Sequence, residues 1–368
     1  MDHTEAPDPE TWSTPWLTPW SDPWSGSGSG PTEDYELLFC DRSPVRSFRT
    51  ALEPALFWTV AAVGLMGNLL VLWVYLCRGR GLCKGRGLTH LYLLHLCAAD
   101  LLFLLTLPLW AQSGTAGWIY GEALCKATTA VYKVNLFSVS LFLACISVDR
   151  YVVIVHPTVA LNSQMRRQRW ARIVSVSMWL LAVILAAPEL AFTTVIEQDG
   201  LMTCRTLFPA YWGRIVKATV LSLQVAVGFF LPLVVMAVCY AVIGRRLLLT
   251  RTFHKHRPLV VVMAIVLVFI VTQLPHSCVL IAEIWDAHSA ALTDCETRKV
   301  LDKAGLVLRA LAYSHPALNP FLYALIGRRF RQEVSMLLQR SGFRKKVFLS
   351  KPRPRTLSDC DTSQGLSL

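Results

Sequence analysis

Charge is scarce in this chain: Asp, Glu, Lys and Arg make up only 16% of its 368 residues, where soluble domains carry about 25%. Long apolar runs account for the deficit, and 54% of the residues are hydrophobic. Such runs mark a membrane protein rather than a large soluble core. The opening MDHTEAPDPE has neither the basic nor the apolar stretch of a cleavable signal peptide. The first apolar segment is therefore expected to direct insertion itself. No Asn-x-Ser/Thr sequon occurs, so N-glycosylation is not expected. Residues 1–41 hold nine acidic residues and no Lys or Arg. The net charge of +12 is consequently not that of a nucleic-acid binder, because the basic residues gather in alternate loops and in the C-terminal tail. Eleven cysteines decide little by number, since several lie within apolar runs, where a buried free thiol is the default.

Runs able to cross a hydrocarbon core of ~30 Å occupy 53–77, 89–112, 124–155, 171–193, 214–243, 258–284 and 300–326. The expected fold is an all-α membrane protein, a seven-transmembrane helix bundle with a short amphipathic helix after the seventh span. Pro108, Pro188, Pro232, Pro275 and Pro320 lie within spans and predict kinks, which a bundle tolerates because neighbouring helices satisfy the freed carbonyls. Basic loops are cytoplasmic. Arg78, Arg80, Lys84 and Arg86 fill the first loop, Arg166, Arg167 and Arg169 the third, and Arg245, Arg246, Arg251, Lys255 and Arg257 the fifth. Ten further Lys or Arg residues follow the seventh span. The acidic N-terminus is thus expected outside and the basic tail inside. The resulting division is an acidic tail over 1–48, the bundle over 49–327, an amphipathic helix over 328–340 with Phe330, Val334, Leu337 and Leu338 on one face, and a cytoplasmic regulatory tail over 341–368.

Ionisable residues at membrane depth are costly and usually functional. Asp100 is one, with Asn68 and Asn319 as expected polar neighbours. They either join helices by hydrogen bonds or line a water-filled interior, and three such residues in three spans favour the interior. Asp149-Arg150-Tyr151 ends the third span. This triplet is either an interfacial ion pair or a latch whose release switches the bundle.

Asn68, Asp100, DRY at 149–151, Trp179, Pro232, Tyr240, Pro275 and NPFLY at 319–323 appear in order across the seven spans. Together they resemble the rhodopsin-like G-protein-coupled receptors. The resemblance implies that Arg150, Tyr240 and Tyr323 act in the activation switch and in coupling, together with Asp149, Tyr151, Gln273, Pro275, Asn319 and Pro320. Tyr313 stands where retinal proteins of this family have their lysine, and Tyr132 where amine receptors have an aspartate, so retinal and small amines are not expected ligands. The segments TLPLWA, GWIYGEALCK, VYKVNLFS and CISVDRYVVIVHP are similar to those of chemokine receptors, with the CXC or interleukin-8 type as the expected subgroup.

Several expectations follow from that resemblance. Disulfides are expected between Cys125 and Cys204 and between Cys40 and Cys295. Glu33, Asp34, Tyr35 and Glu36 would form an acidic docking segment for a basic chemokine, with Tyr35 either sulfated or unmodified. Trp110, Tyr132, Glu189, Glu283 and Asp286 would line the ligand pocket, with Glu189 alternatively a helix-end carboxylate. Arg309 stands where many of these receptors carry a ligand-contacting Glu, and Gln273 where a tryptophan toggle is common. Sodium near Asp100 and Asn135 would be weakened by Val139, which replaces a serine. Thr356, Ser358, Thr362, Ser363 and Ser367 are candidate kinase targets whose phosphates would recruit arrestin.

The implied function is that of a plasma-membrane chemokine receptor, not an enzyme, which activates an inhibitory-class G protein and drives calcium signalling and chemotaxis. A scavenging receptor that signals through arrestin is the alternative. A transporter would need coupled charges and repeats, against which the chain offers one buried acid and no repeat. In TWSTPWLTPWSDPW, Trp12, Trp16, Trp20 and Trp24 recur every fourth residue. Pro15, Pro19 and Pro23 forbid a helix there, leaving either a spacer or a set of apolar anchors ahead of a flexible SGSGSG linker.

Overall fold

The computed structural model describes residues 41–78, 88–198, 200–209, 211–250, 257–289, 294–326 and 335. Its helices are α1 (Ser43–Arg78), α2 (Leu88–Leu104), α3 (Leu107–Ala116), α4 (Gly121–Val155), α5 (Pro157–Asn162) and α6 (Gln164–Phe192). A hairpin of β1 (Thr193–Gln198) and β2 (Leu201–Thr206) follows, and then α7 (Gly213–Val225), α8 (Leu231–Thr250), α9 (Arg257–Ser289) and α10 (Cys295–Ile326). Among the described residues, six helical segments are long and apolar enough to cross a membrane: Ser43–Val74, Leu88–Ala116, Gly121–Val155, Gln164–Phe192, Gly213–Leu249 and Leu259–Ser289. The seventh region is α10, which is 32 residues long but carries Glu296, Arg298, Lys299, Asp302 and Lys303 in its first turns. These charges dilute its apolar character, while its remaining length still suffices to span.

The helices outlast the apolar runs that announce them. α1 begins at Ser43, well ahead of residue 53, and the Arg49 guanidinium grips Glu53 one turn on at 2.8 Å. At the far end, Asp294 caps α10 by accepting the Thr297 amide at 2.8 Å and the Thr297 hydroxyl at 2.7 Å. Those hydrogen bonds hold the Asp294 carboxyl below the usual carboxylate range.

The prolines act in different ways. The second span breaks between Leu104 and Leu107, with Pro108 at the start of α3 and the Thr106 hydroxyl donating to the Phe103 carbonyl at 2.7 Å. Ahead of Pro232, Ala226–Phe230 form a π-helical turn joining α7 to α8, which accommodates an imino acid that cannot donate to the preceding turn. Pro188, Pro275 and Pro320 sit inside uninterrupted helices, as do Pro54 and Pro316.

The main core joins Leu93, Leu96, Phe142, Ile146, Phe229, Ile265 and Phe269. Outward positions such as Trp58, Met66, Leu180, Ile184 and Leu267 are apolar and exposed, as lipid-facing residues must be. The buried residues of α6 include Ala171, Ser175, Ala182 and Ala186, a small-residue stripe of the kind that lets membrane helices approach closely. Close approach also governs α1 and α10, where a Cβ on Gly67 would lie 2.7 Å from the rigid ring of Pro320. Gly67→Ala is expected to cost about 1–3 kcal/mol, read as a lower melting temperature of the detergent-purified protein.

Candidate functional site

Polar residues gather at three depths in the bundle. The middle one is built on Asp100 of α2, which is fully buried. Its two carboxylate oxygens accept from the Asn135 amide at 3.0 Å and the Asn319 amide at 2.8 Å. Asn68, expected beside Asp100, instead donates to the Pro316 carbonyl at 2.9 Å and to the Gly64 carbonyl at 3.0 Å. It therefore ties α1 to the backbone of α10 at the carbonyl one turn before Pro320, which a proline leaves without its helical donor. The group joins four helices. It suits a sodium ion poorly: both amides turn N–H groups toward the carboxylate, and the buried Val139 adds no oxygen, whereas hard cations take several oxygen ligands.

At one end of α4, Asp149 and Arg150 form a buried pair at 2.8 Å, with side chains only 4% and 8% exposed. Sequence reasoning found the pair and missed its companions. The Thr89 hydroxyl donates to Asp149 at 2.8 Å and accepts from Arg150, while Arg167 holds the other Asp149 oxygen. Arg167 had been counted only as loop charge, and no local signal marks Thr89. Tyr240 sits beside this network, its hydroxyl bonded to Ser147 at 3.2 Å. The Tyr151 hydroxyl lies 3.4 Å from the His156 ring. Gln273 donates to the Ala312 carbonyl at 3.3 Å, linking α9 to α10 about two turns before Asn319. The indole of Trp179 donates to His95 at 3.3 Å.

The opposite end forms a mouth. Cys125 at the start of α4 is bonded to Cys204 of β2, with Cα atoms 5.7 Å apart. The hairpin is thereby pinned over the bundle, and the Trp118 amide donates to the Met202 carbonyl at 2.6 Å. Gly117 makes that contact possible: its φ is +76°, and a Cβ there would approach the Met202 oxygen to 3.0 Å. Trp118 is buried against Trp110, with ring centroids 5.2 Å apart. In this hairpin, burial and the neighbouring guanidiniums of Arg49, Arg42 and Arg46 push Arg205 below its ordinary pKa. Cys295 is disulfide-bonded, and its expected partner Cys40 lies outside the described residues.

Below the hairpin, Tyr132 packs on Tyr313 at 4.6 Å and on Phe103 at 5.7 Å. The expected pocket carboxylates are present, but each is paired. Glu189 is buried and binds Lys133 at 3.2 Å, with Thr206 and Thr193 donating to it at 3.0 and 3.3 Å. Glu283 binds Lys217 at 3.1 Å, and Asp286 binds Arg298 at 3.1 Å. Glu189 lies in the last turn of α6, where the hairpin and Lys133 enclose it. Glu189→Ala would leave Lys133 buried without its carboxylate, an expected loss of about 3–5 kcal/mol. Thermal unfolding in detergent checks this, with Glu189→Gln as the milder comparison.

Other expected site residues lie outside the described set: Glu33, Asp34, Tyr35, Glu36, the phosphorylation candidates and the amphipathic face after α10. The side chain of Tyr323 is likewise outside it.

A membrane bundle with a buried Asp-Asn centre, a disulfide-pinned hairpin at one end and a caged Asp-Arg pair at the other is a receptor architecture. The profile of the 7 transmembrane receptor (rhodopsin family) matches residues 67–323. The C-C chemokine receptor type 9 of Ovis aries is 37% identical over 308 residues, 83% of this chain and 82% of that protein. The C-C chemokine receptor type 10 of Homo sapiens is 42% identical over 300 residues, 82% of each chain. Atypical chemokine receptor 4 of Homo sapiens is 36% identical over 316 residues, 86% of this chain and 87% of that protein. The chain therefore belongs to the rhodopsin family of seven-transmembrane receptors and, within it, to the chemokine receptors. It is a multi-pass membrane receptor, it is not an enzyme, and its family has no cofactor requirement. The expected closeness to the CXC group finds no support among these relatives. The short apolar matches that suggested it are set by helix packing common to the family, so they discriminate subgroups poorly.

Proposed function

We propose that this chain is a plasma-membrane receptor for a C-C-type chemokine that couples to an inhibitory-class G protein. The orientation follows loop basicity: the hairpin mouth and the acidic tail face outward, and the Arg150 end faces the cytoplasm. A basic chemokine docks first on the segment containing Glu33, Asp34, sulfated Tyr35 and Glu36, where opposite charge speeds encounter. Its N-terminus then enters the mouth near Trp110, Tyr132, Glu189, Glu283 and Asp286. The shifted contacts release Arg150 and open a cleft for the G protein. Afterwards, receptor kinases act on Thr356, Ser358, Thr362, Ser363 and Ser367, and arrestin binds.

The caged Asp149–Arg150 pair carries the signalling part of this reading, because a buried charge pair with several alternative partners is a natural two-state element. A C-C chemokine panel, read by calcium flux and by inhibition of cAMP, tests it. A ligand that lowers cAMP and is blocked by an inhibitory-class G-protein toxin supports it. Internalisation with no cAMP change favours the second reading, a scavenging receptor, to which the likeness to atypical chemokine receptor 4 points. Deleting residues 11–24 while keeping Tyr35 should weaken chemokine affinity if the tryptophans are docking anchors; unchanged affinity makes the repeat a spacer.

A further inference from the structure

Between residues 149 and 172 the chain carries five arginines and one carboxylate. That carboxylate, Asp149, is already shared by Arg150 and Arg167. Because α6 begins at Gln164, Arg166, Arg167, Arg169 and Arg172 stand in its first turns rather than in a loop. Arg167 turns back into the bundle, where it also donates to the Ala160 carbonyl at 3.4 Å. Arg166, Arg169 and Arg172 are exposed, and among the described residues their side chains have no ion pair or hydrogen bond. The two sides of α6 explain this division. Ala171, Ser175, Ala182 and Ala186 are buried, while Ile173, Val176, Leu180 and Ile184 on the other side are exposed and meet lipid. At 3.6 residues per turn, Arg166, Arg169 and Arg172 continue the exposed side as an i, i+3, i+6 row climbing about 9 Å along the axis. Trp170, 55% exposed, shares that side. The 29 residues of α6 make a helix of about 43 Å. Centred on a ~30 Å core, it projects about four residues at each end, which sets the membrane boundary near Arg169 and Trp170.

We propose that the start of α6 is a binding site for an anionic phospholipid whose headgroup carries several phosphates, with Arg166, Arg169 and Arg172 as its cations. Arginine forks match phosphate oxygens two at a time, and a row about 9 Å long is wider than one phosphate can bridge. A headgroup with phosphates at separate ring positions spans it. Trp170 seats its ring at the headgroup level, where tryptophans of membrane proteins concentrate. Arg172 lies just inside the boundary and reaches outward along its apolar stem. The acyl chains run down the stripe of Ile173, Val176 and Leu180, directly continuous with the arginine row. A soluble inositol phosphate offers the same charges but leaves that stripe and Trp170 unused, so the surface fits the lipid. The orientation proposed above puts the site in the inner leaflet, where anionic lipids gather, and only that leaflet assignment rests on the functional reading.

Full-length receptor in detergent would be offered short-chain phosphatidylinositol bisphosphate, phosphatidylserine and phosphatidylcholine in equal amounts, with bound lipid counted by native mass spectrometry. The bisphosphate should dominate the adducts. An arginine at a membrane surface changes affinity for anionic lipid about fivefold. Arg166→Gln, Arg169→Gln and Arg172→Gln should therefore each weaken bisphosphate binding about fivefold, and the triple variant roughly a hundredfold. Arg245→Gln, which removes an exposed arginine of α8, should leave it unchanged. Soluble inositol trisphosphate should displace the lipid poorly, since it has no chains for the apolar stripe. Equal binding of the three lipids, equal losses in Arg245→Gln and the α6 variants, or unchanged affinity in a triple variant of normal melting temperature overturns the proposal. Displacement by inositol trisphosphate at matched concentration also overturns it, in favour of a free phosphate compound. Should the triple variant fail to fold, the three single variants decide. The measurement needs no chemokine, G protein or cell orientation, so a silent chemokine panel would sink the functional reading without touching this one.

Discussion

Asp149→Asn should raise ligand-independent signalling about tenfold or more. In the structure Asp149 is held between Arg150 at 2.8 Å and Arg167, with the Thr89 hydroxyl donating to it at 2.8 Å. Removing one member of a buried pair costs about 3–5 kcal/mol, and the loss falls on the state in which the cage is closed. A minor active state usually lies only a few kcal/mol above the resting one. Even about 1.4 kcal/mol of the loss would multiply the active population roughly tenfold. Thr89→Val should give a smaller rise, since it removes one hydroxyl and no charge. Arg150→Ala should act oppositely and abolish coupling, because in the proposed mechanism the released guanidinium is the group offered to the G protein. Basal cAMP at matched surface expression measures all three. Basal activity unchanged in both Asp149→Asn and Thr89→Val would remove the cage from the switch.

Cys125→Ser should reduce surface ligand binding more than any single pocket substitution. The bridge to Cys204 closes a loop with a sequence separation of 79, worth about 4 kcal/mol on the chain-entropy account. The consequence reaches beyond stability. Cys204 sits in β2, and that strand carries Thr206, which donates to Glu189 at 3.0 Å, and Met202, whose carbonyl accepts the Trp118 amide at 2.6 Å. Without the bridge, the hairpin loses its anchor on α4, and Glu189 and Trp110 lose the frame that positions them. The double variant Cys125→Ser/Cys204→Ser should match either single variant, since all remove the same link. Labelled-chemokine binding on intact cells and melting temperature of purified receptor check this. Full binding in the single variants at normal expression would show that the hairpin is held without its disulfide.

The resting cage and the hairpin differ in how far the chain announces them. Apolar runs interrupted by Asp100, Asn68 and Asn319 speak for a bundle with a polar centre, because a charged group at membrane depth is too costly to be incidental. Asp149 and Arg150 are adjacent, so their pairing is also visible in the chain. Thr89, Arg167 and Lys133 could not be found this way. A threonine at a helix start or an arginine in a basic loop has many ordinary uses, and the partners lie far off: Thr89 is 60 residues from Asp149, and Lys133, besides pairing with Glu189, donates to the Gln224 side chain 91 residues away. The ion pairs of the mouth carboxylates are hidden in the chain for the same reason. Glu189, Glu283 and Asp286 read as acids awaiting a basic ligand until the opposing Lys133, Lys217 and Arg298 were brought against them.

Sequence alone thus determined the membrane class, the helix count, the buried acid and the Asp-Arg end, since each depends on composition or on neighbours along the chain. Tertiary structure decided which charges cancel. It placed Asn68 on the Pro316 carbonyl rather than on Asp100, enclosed Glu189 beneath the hairpin, and set Lys217 against Glu283 and Arg298 against Asp286. Coulombic pairing falls off with distance through space, and only the packing of helices remote in sequence sets those distances.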